Sequence, residues 1–498
     1  MEEEVSVLLT TEGTYPFHPG GVSTWCDNLI KGCKAVSFTL FAIMMNPYVS
    51  RKYSLPKNVR EIIHLPLWGS EEPTEYLKKI PFSKIYYKKK KTTESAINKK
   101  FAPLFRTFLR NLHRSEEEAY SIGTTLYKLH LYFKEYDINE TFRSETVWEI
   151  FKKEMLRFAE KDKTYEEEPP SLYSLTECLR WLYRFFLILN VPVPKTDVTH
   201  STAAAFCSIP CIISKFSYDT PFLLTEHGIY MKEQHLFISR LEHISYSKGF
   251  LLDLISGISR ISYYFADQIS PVCEYNKRWE FINRVPEERI KTIYNGVDPR
   301  VFYPAEKKEG EKTVVVSATR VDPIKDIETL IKGASLVNKE MGDVKFLIYG
   351  EVSNPEYYER CIKLREELGL TENVIFAGYT SEPTTIYNKG DIVALTSISE
   401  AFPYTVVEAM ASGKPIVATD VGGVREALEG CGLMVRAKKP EEFATAIIKL
   451  LKDKELRETF GLDARTKVLN MFTVENMVKE YQQSYFNLVD LSKSKREK

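Results

Sequence analysis

From about residue 286 onward, short β-rich runs alternate regularly with amphipathic helical stretches, and no other feature constrains this chain as tightly. Strands are predicted at 313–318, 344–349, 374–376, 392–395 and 415–418. Between the first two, Ile327, Leu330, Ile331, Ala334 and Val337 recur at helical spacing. Short apolar strands separated by helices form a parallel sheet covered on both faces. The opening follows the same logic. A β-rich run at 5–10 leads into the turn formers from Glu12 to Gly21. Val22, Trp25, Cys26, Leu29 and Ile30 then share one helical face, and a strand returns at 36–43. The pattern resumes near 198–200 and 221–228. The fold class is therefore α/β, with two doubly wound, Rossmann-like domains. The linker is expected around Asn295-Gly296-Val297-Asp298-Pro299.

Residues 70–190 differ: they are charged, aromatic and helical in pattern, and read as an insertion within the first domain. The piece from Lys78 to Arg114 holds twelve Lys/Arg and one acid, Glu94. It is either a solvated face or a dock for an anionic surface, such as lipid headgroups. Over the whole chain charge is balanced, with 68 basic and 68 acidic residues, which argues against a general nucleic-acid coat and leaves no nucleic-acid partner expected. The acidic start and the lack of an apolar run of about 18 residues predict neither a secretory signal nor a spanning helix. Eight cysteines without a CxxC pair read as buried thiols in a reducing compartment, so cytoplasmic residence is expected.

Ligands of open parallel sheets bind at the carboxyl ends of the strands. After the predicted strand 313–318 come Arg320 and Lys325, two cations suited to a diphosphate near a helix N-terminus. They could equally pair with Asp322 and Asp326. After 392–395 come Glu400, on a loop, and Glu408, on an apolar helix that Gly413 ends. A partly desolvated carboxylate there must accept hydrogen bonds, and sugar hydroxyls donate them well. Gly20 and Gly21 precede a helix and form a second anion-site candidate. His227 and Glu226 follow a buried strand, and His200 sits similarly; each is more often structural than catalytic. There is no GxxxxGK[ST], GxGxxG or GxSxG motif and no Asp-x-Asp, so a P-loop, a dinucleotide fingerprint, a hydrolase elbow and a metal-bridged nucleotide site all lack their residues.

Ser317-Ala-Thr-Arg320-Val-Asp-Pro-Ile-Lys325, Glu400-x7-Glu408, Asn295-Gly-Val-Asp298 and Phe472-Thr-Val-Glu-Asn-Met477 resemble family-4 retaining glycosyltransferases of the GT-B fold. Glu12-Gly-Thr-Tyr-Pro-x-x-x-Gly20-Gly21-Val-Ser-x-Trp25 and Leu224-Thr-Glu226-His227-Gly228-Ile-Tyr230 look more particularly like the PelF-type enzymes of Pel exopolysaccharide synthesis. The resemblance implies an N-terminal acceptor-side domain (1–285), a C-terminal nucleotide-sugar domain (286–475) facing it across a cleft, and a crossing-back helix with a basic tail (476–498). It implies a retaining, metal-independent hexosyltransferase using UDP-glucose and a glycan acceptor, without a further cofactor. Arg320 and Lys325 would hold the diphosphate, with Gly20 and Gly21 approaching it. Glu408 would bind the ribose, Glu400 and the backbone of Phe402 and Pro403 the sugar, and Gly378 and Tyr379 the base. His227 would lie by the reactive carbon, with His200 and Glu226 towards the acceptor. Many members have Gly-Phe-Gly where this chain has Ala401-Phe402-Pro403, and Pro403 offers no N–H. The loop after 344–349 lacks the second glycine often found there. The charge of the Lys78 to Arg114 piece also leaves open peripheral contact with the inner membrane surface or a synthase complex. The alternative is a non-catalytic nucleotide-sugar scaffold or sensor.

Overall fold

The computed structural model describes residues 4–69, 80–112, 118–160, 169–239, 241, 245–305, 313–380 and 382–496. The chain divides into two compact units. The first comprises Met1–Pro271, Arg278–Lys291 and Tyr481–Lys498, and the second Val272–Lys277 and Thr292–Glu480.

The first unit carries β1 (Val5–Glu12), β2 (Val36–Met44), β3 (Val59–Pro66), β4 (Val198–Ser201), β5 (Phe222–Glu226) and β6 (Gln268–Pro271). They form one parallel sheet in the order β3-β2-β1-β4-β5-β6. The interior strands are buried nearly throughout, as strands covered on both faces must be. β3 was not anticipated, because its Val-Arg-Glu-Ile-Ile-His pattern belongs to an edge strand that is only half covered.

Between β3 and β4 the expected insertion is present as helices, chiefly Phe82–Lys91, Ala102–Leu112, Ala119–Glu135, Glu145–Ala159 and Leu172–Phe186. Lys78, Lys79, His113 and Arg114 of its basic piece lie outside the described residues. The insertion is no appendage. Phe101, Phe105, Phe108, Phe133, Phe151 and Phe186 join Leu8, Phe41 and Leu224 of the sheet in one hydrophobic cluster. A fully buried aromatic side chain contributes roughly 1.5–3 kcal/mol by area alone, so these rings fix the helices against the strands.

The second unit carries β7 (Val314–Ala318), β8 (Lys345–Tyr349), β9 (Val374–Gly378), β10 (Ile392–Leu395), β11 (Ile416–Thr419) and β12 (Leu433–Val435), again all parallel, in the order β12-β11-β10-β7-β8-β9. The stretch expected to be a linker is instead folded into this unit. Val297 N–H donates to Phe472 O (2.9 Å) and Val474 N–H to Val297 O (3.0 Å). Gly296 makes this approach feasible, since a Cβ there would stand 2.2 Å from Thr473 O. Two motifs far apart in sequence thus hold each other.

The helix Val474–Arg496 leaves the second unit, and from Tyr481 onward it belongs to the first. Tyr481 and Tyr485 are fully buried there, with Tyr481 edge-on to Trp25 at 5.1 Å. All eight cysteines are buried and unbridged. No described helix is long and apolar enough to cross a membrane.

Candidate functional site

In the second sheet the strand order reverses at β7, which lies between β8 and β10. The loops leaving β7 and β10 diverge there, and such a point is where doubly wound sheets hold ligands. Arg320 and Lys325 sit on the first loop, and Glu400 on the second. Lys325 Nζ donates to Glu400 Oε1 at 2.5 Å, and both side chains are largely buried. Ser397 Oγ donates to the same oxygen at 2.6 Å. The two loops are also tied through backbone: Ile398 N–H reaches Ile324 O (2.8 Å) and Thr396 Oγ1 donates to Lys325 O (3.0 Å).

The cations do not make the local pairs that the sequence also allowed. Asp322 accepts from Ile324 N–H, and Asp326 from Thr329 N–H and Oγ1, so both acids cap turns. Lys325 pairs with Glu400 instead. Arg320 is exposed and makes no ion pair with a described residue. One cation is therefore pinned in the crevice and one stands at its edge.

Glu408 lies on the helix Tyr404–Ala411, which Thr405 ties to the end of β7 through Ala318 O (2.8 Å). Tyr387 OH donates to its Oε2 at 2.6 Å, and burial lifts the carboxyl to about 7 despite that bond. Phe402 points into the core, packed on Tyr294 (5.2 Å) and Phe472 (5.1 Å), and its carbonyl accepts from Asn295 Nδ2 (3.3 Å). Pro403 precedes that helix as its N-cap. Gly378 and Tyr379 are exposed at the end of β9, and Gly378 O accepts from Gly350 N–H (3.0 Å).

Two glycines overlooked in the sequence shape this crevice. Gly422 has φ +59°, and a Cβ on it would stand 1.7 Å from Glu400 O; Gly423 N–H donates to Ala401 O at 2.6 Å. The Gly-Gly pair after β11 was legible as a turn, but its close approach to the Glu400 loop is a long-range fact. Gly350 acts similarly on the β7 loop, since a Cβ there would lie 2.0 Å from Thr319 O.

The remaining sequence candidates belong to the first unit. Gly20 (φ +151°) caps the exposed start of the helix Gly21–Gly32. His227 follows β5, half-buried, with its ring edge-on to Trp25 at 4.6 Å. Burial pulls its pKa down to about 3, so the imidazole is neutral, and Nε2 has no partner among the described residues. His200 is fully buried, with Nδ1 on Tyr485 OH and Nε2 on Thr225 Oγ1, each at 2.7 Å. Both nitrogens are occupied, which gives it a positioning place in the core. Glu226 is also fully buried, accepts from Tyr263 OH, and is pushed well up by burial and by Glu280 beside it. It is a carboxylic acid closed off from solvent. Glu12, at the end of β1, was not singled out; it accepts from Tyr230 OH (3.0 Å) and Cys207 N–H (3.2 Å).

Comparison with known proteins bears on both units. Residues 5–287, more than half of the chain, match the family model DUF3492, a domain of unknown function. The chain belongs to this DUF3492 family. Residues 300–467 match glycosyl transferases group 1. That second stretch carries the likeness to curated proteins. The chain is 27% identical over 214 residues to N-acetyl-alpha-D-glucosaminyl L-malate synthase of Bacillus anthracis, which covers 41% of this chain and 55% of that protein. It is 30% identical over 208 residues to poly(ribitol-phosphate) alpha-N-acetylglucosaminyltransferase of Staphylococcus aureus, covering 41% of each. The chain spans about half the length of the curated relatives it matches. Among solved structures, sucrose-phosphate synthase from Thermosynechococcus elongatus superposes with a TM-score of 0.62 at 16% identity, covering 98% of this chain and 100% of that one. Anabaena Alr3699/HepE, solved with UDP and glucose, gives 0.60 at 14%, covering 96% and 99%. At such identities the likeness is one of fold: this DUF3492 chain has the two-domain α/β architecture of GT-B glycosyltransferases.

Proposed function

We propose that this chain is a retaining, metal-independent glycosyltransferase that moves a hexose from a nucleotide sugar, UDP-glucose, to a glycan or exopolysaccharide acceptor. The observation that carries the reading is the convergence of Lys325, Glu400 and the Glu408 helix at the reversal point of the second sheet. Support comes also from the group 1 glycosyltransferase match and from a relative named as an N-acetylglucosaminyltransferase. The finer likeness to PelF-type enzymes rests on the N-terminal motifs alone.

In this reading Arg320 and Lys325 bind the diphosphate and stabilise the charge on the departing UDP, which is electrostatic catalysis by fixed cations. Lys325 is already neutralised by Glu400, so the pair presents little net charge until the donor enters and shares the ammonium. Glu400 then has its carboxylate free for sugar hydroxyls. Glu408 takes the ribose hydroxyls, Gly378 and Tyr379 the base, and Gly20 and Gly21 offer helix-start N–H groups to phosphate. His227, neutral and with Nε2 unpartnered among the described residues, is the catalytic candidate beside the sugar's reactive carbon. His200 and Glu226 position the core around it.

Calorimetric titration with UDP-glucose tests the reading. Lys325→Ala and Glu408→Ala are each expected to weaken binding by about 2–3 kcal/mol, as for lost charge-assisted bonds. His227→Ala is expected to reduce turnover more than donor affinity, and EDTA to leave turnover intact. Unchanged donor affinity in both binding-site variants would refute the assignment. Donor binding without turnover or hydrolysis would favour the scaffold alternative.

A further inference from the structure

A cavity of about 710 Å³ lies in the first unit, walled by the edge strand β3, the helix Phe82–Lys91, the end of the helix Ala119–Glu135 and residues 190–194. Ligand pockets run from roughly 300 to 1,000 Å³, so it is large enough for a ligand. Ile63, Ile85, Phe133 and Val191 give it apolar walls.

Its cations are arranged differently from those of an ordinary solvated face. Lys88 lines the cavity half-buried, and burial pulls its pKa down. Its Nζ donates to a neutral amide, Asn190 Oδ1, at 3.2 Å. Asp137 acts on Lys88 through its charge, without an ion pair, and caps Glu140 N–H at 2.9 Å. Lys84 and Lys134 also line the cavity, exposed and without an ion pair among the described residues, whereas Lys91 is neutralised by Glu135 at 2.9 Å. Glu61 is the one further acid in the lining. The helix over the cavity buries none of its own side chains, yet it holds Phe82, Tyr86 and Tyr87 exposed beside its lysines. Aromatic rings among lysines on an exposed helix suit the polar–apolar boundary of an amphiphile.

We propose that this cavity binds the hydrocarbon chain of a single-chain anionic amphiphile, with its phosphate or carboxylate head held by Lys84 and Lys88. The site is separate from the β7–β10 crevice and stands whether or not the transferase reading does.

Titration of the full chain with dodecyl phosphate below its critical micelle concentration tests this. Saturable one-to-one binding is expected, with inorganic phosphate at equal concentration giving none. Ile85→Trp fills the cavity from a helix with no buried side chain, so it should leave the circular dichroism unchanged and weaken binding about tenfold or more. Lys84→Glu with Lys88→Glu should weaken it by a similar factor. Absence of saturable binding, or affinity unchanged in Ile85→Trp, would overturn the proposal, as would inorganic phosphate binding as tightly as dodecyl phosphate. Sedimentation with phosphatidic acid vesicles that Ile85→Trp abolishes would identify a bilayer as the source of the chain. Dodecyl phosphate binding without vesicle binding would identify a dispersed amphiphile.

Discussion

The side chain that reports most directly on the candidate site is Glu408. In the folded protein its carboxyl titrates near 7, because burial disfavours the charged form. Two consequences follow. An acid raised above its unfolded value keeps its stabilising contribution below pH 4.5 and loses it as pH rises to 7, so folding stability should fall across that window. Glu408→Gln should remove this slope, as thermal melts at pH 4.5, 6 and 8 would show. Ribose hydroxyls need the carboxylate as acceptor, so UDP-glucose affinity should rise between pH 6 and 8 in the wild type and stay flat in Glu408→Gln. The diphosphate diester of that donor keeps constant charge over the range, which isolates the protein group. A second residue-scale test concerns Gly422. Alanine there meets both a left-handed φ and the backbone oxygen of Glu400, whereas alanine at Gly430 (φ +84°) meets only the φ. Gly430→Ala should cost about 1–2 kcal/mol, and Gly422→Ala clearly more, together with donor affinity. Equal costs in urea denaturation would mean that the Glu400 loop yields freely.

At the scale of elements, what was legible in the sequence follows from how far each element is covered. The second sheet was readable because its strands are short, apolar and flanked by helices with clear faces; β10 runs over residues 392–395 as predicted. β3 and β12 escaped notice because one is a half-exposed edge and the other has three residues. The cations and acids of the crevice were legible as residues after strands, but their pairing was not. Asp322 and Asp326 were nearer in sequence, and only the reversal at β7 brings Glu400 closer. The same limit hid which side chains the crossing-back helix would bring to the first unit's core. Tyr485 OH serves His200 Nδ1 across 285 positions. Tyr485→Phe leaves that buried nitrogen without a partner, so a loss of about 1–3 kcal/mol is expected, measurable as a lowered denaturation midpoint with unchanged donor affinity.

For the whole molecule, the division into units is not a division of the chain into halves. The first unit is assembled from three separate stretches, the last of which comes after the entire second unit. Truncation after Glu480 removes Tyr481 and Tyr485, both fully buried, from beside Trp25, His200 and Phe38. The truncated chain should therefore melt first in the first unit, the one that loses these residues, with Trp25 fluorescence shifting at a lower temperature than in the full chain. A melt with Trp25 unchanged would show that the returning helix adds nothing there.

That returning helix sets an order of events on the ribosome. Domains generally fold as they emerge, N-terminal first, but here the first unit's sheet waits for residues made after the whole second unit to fill the space beside Trp25. The unit begun before the second is completed only after it, and nascent chains stalled anywhere before Tyr481 carry an open core for a protease or chaperone to find.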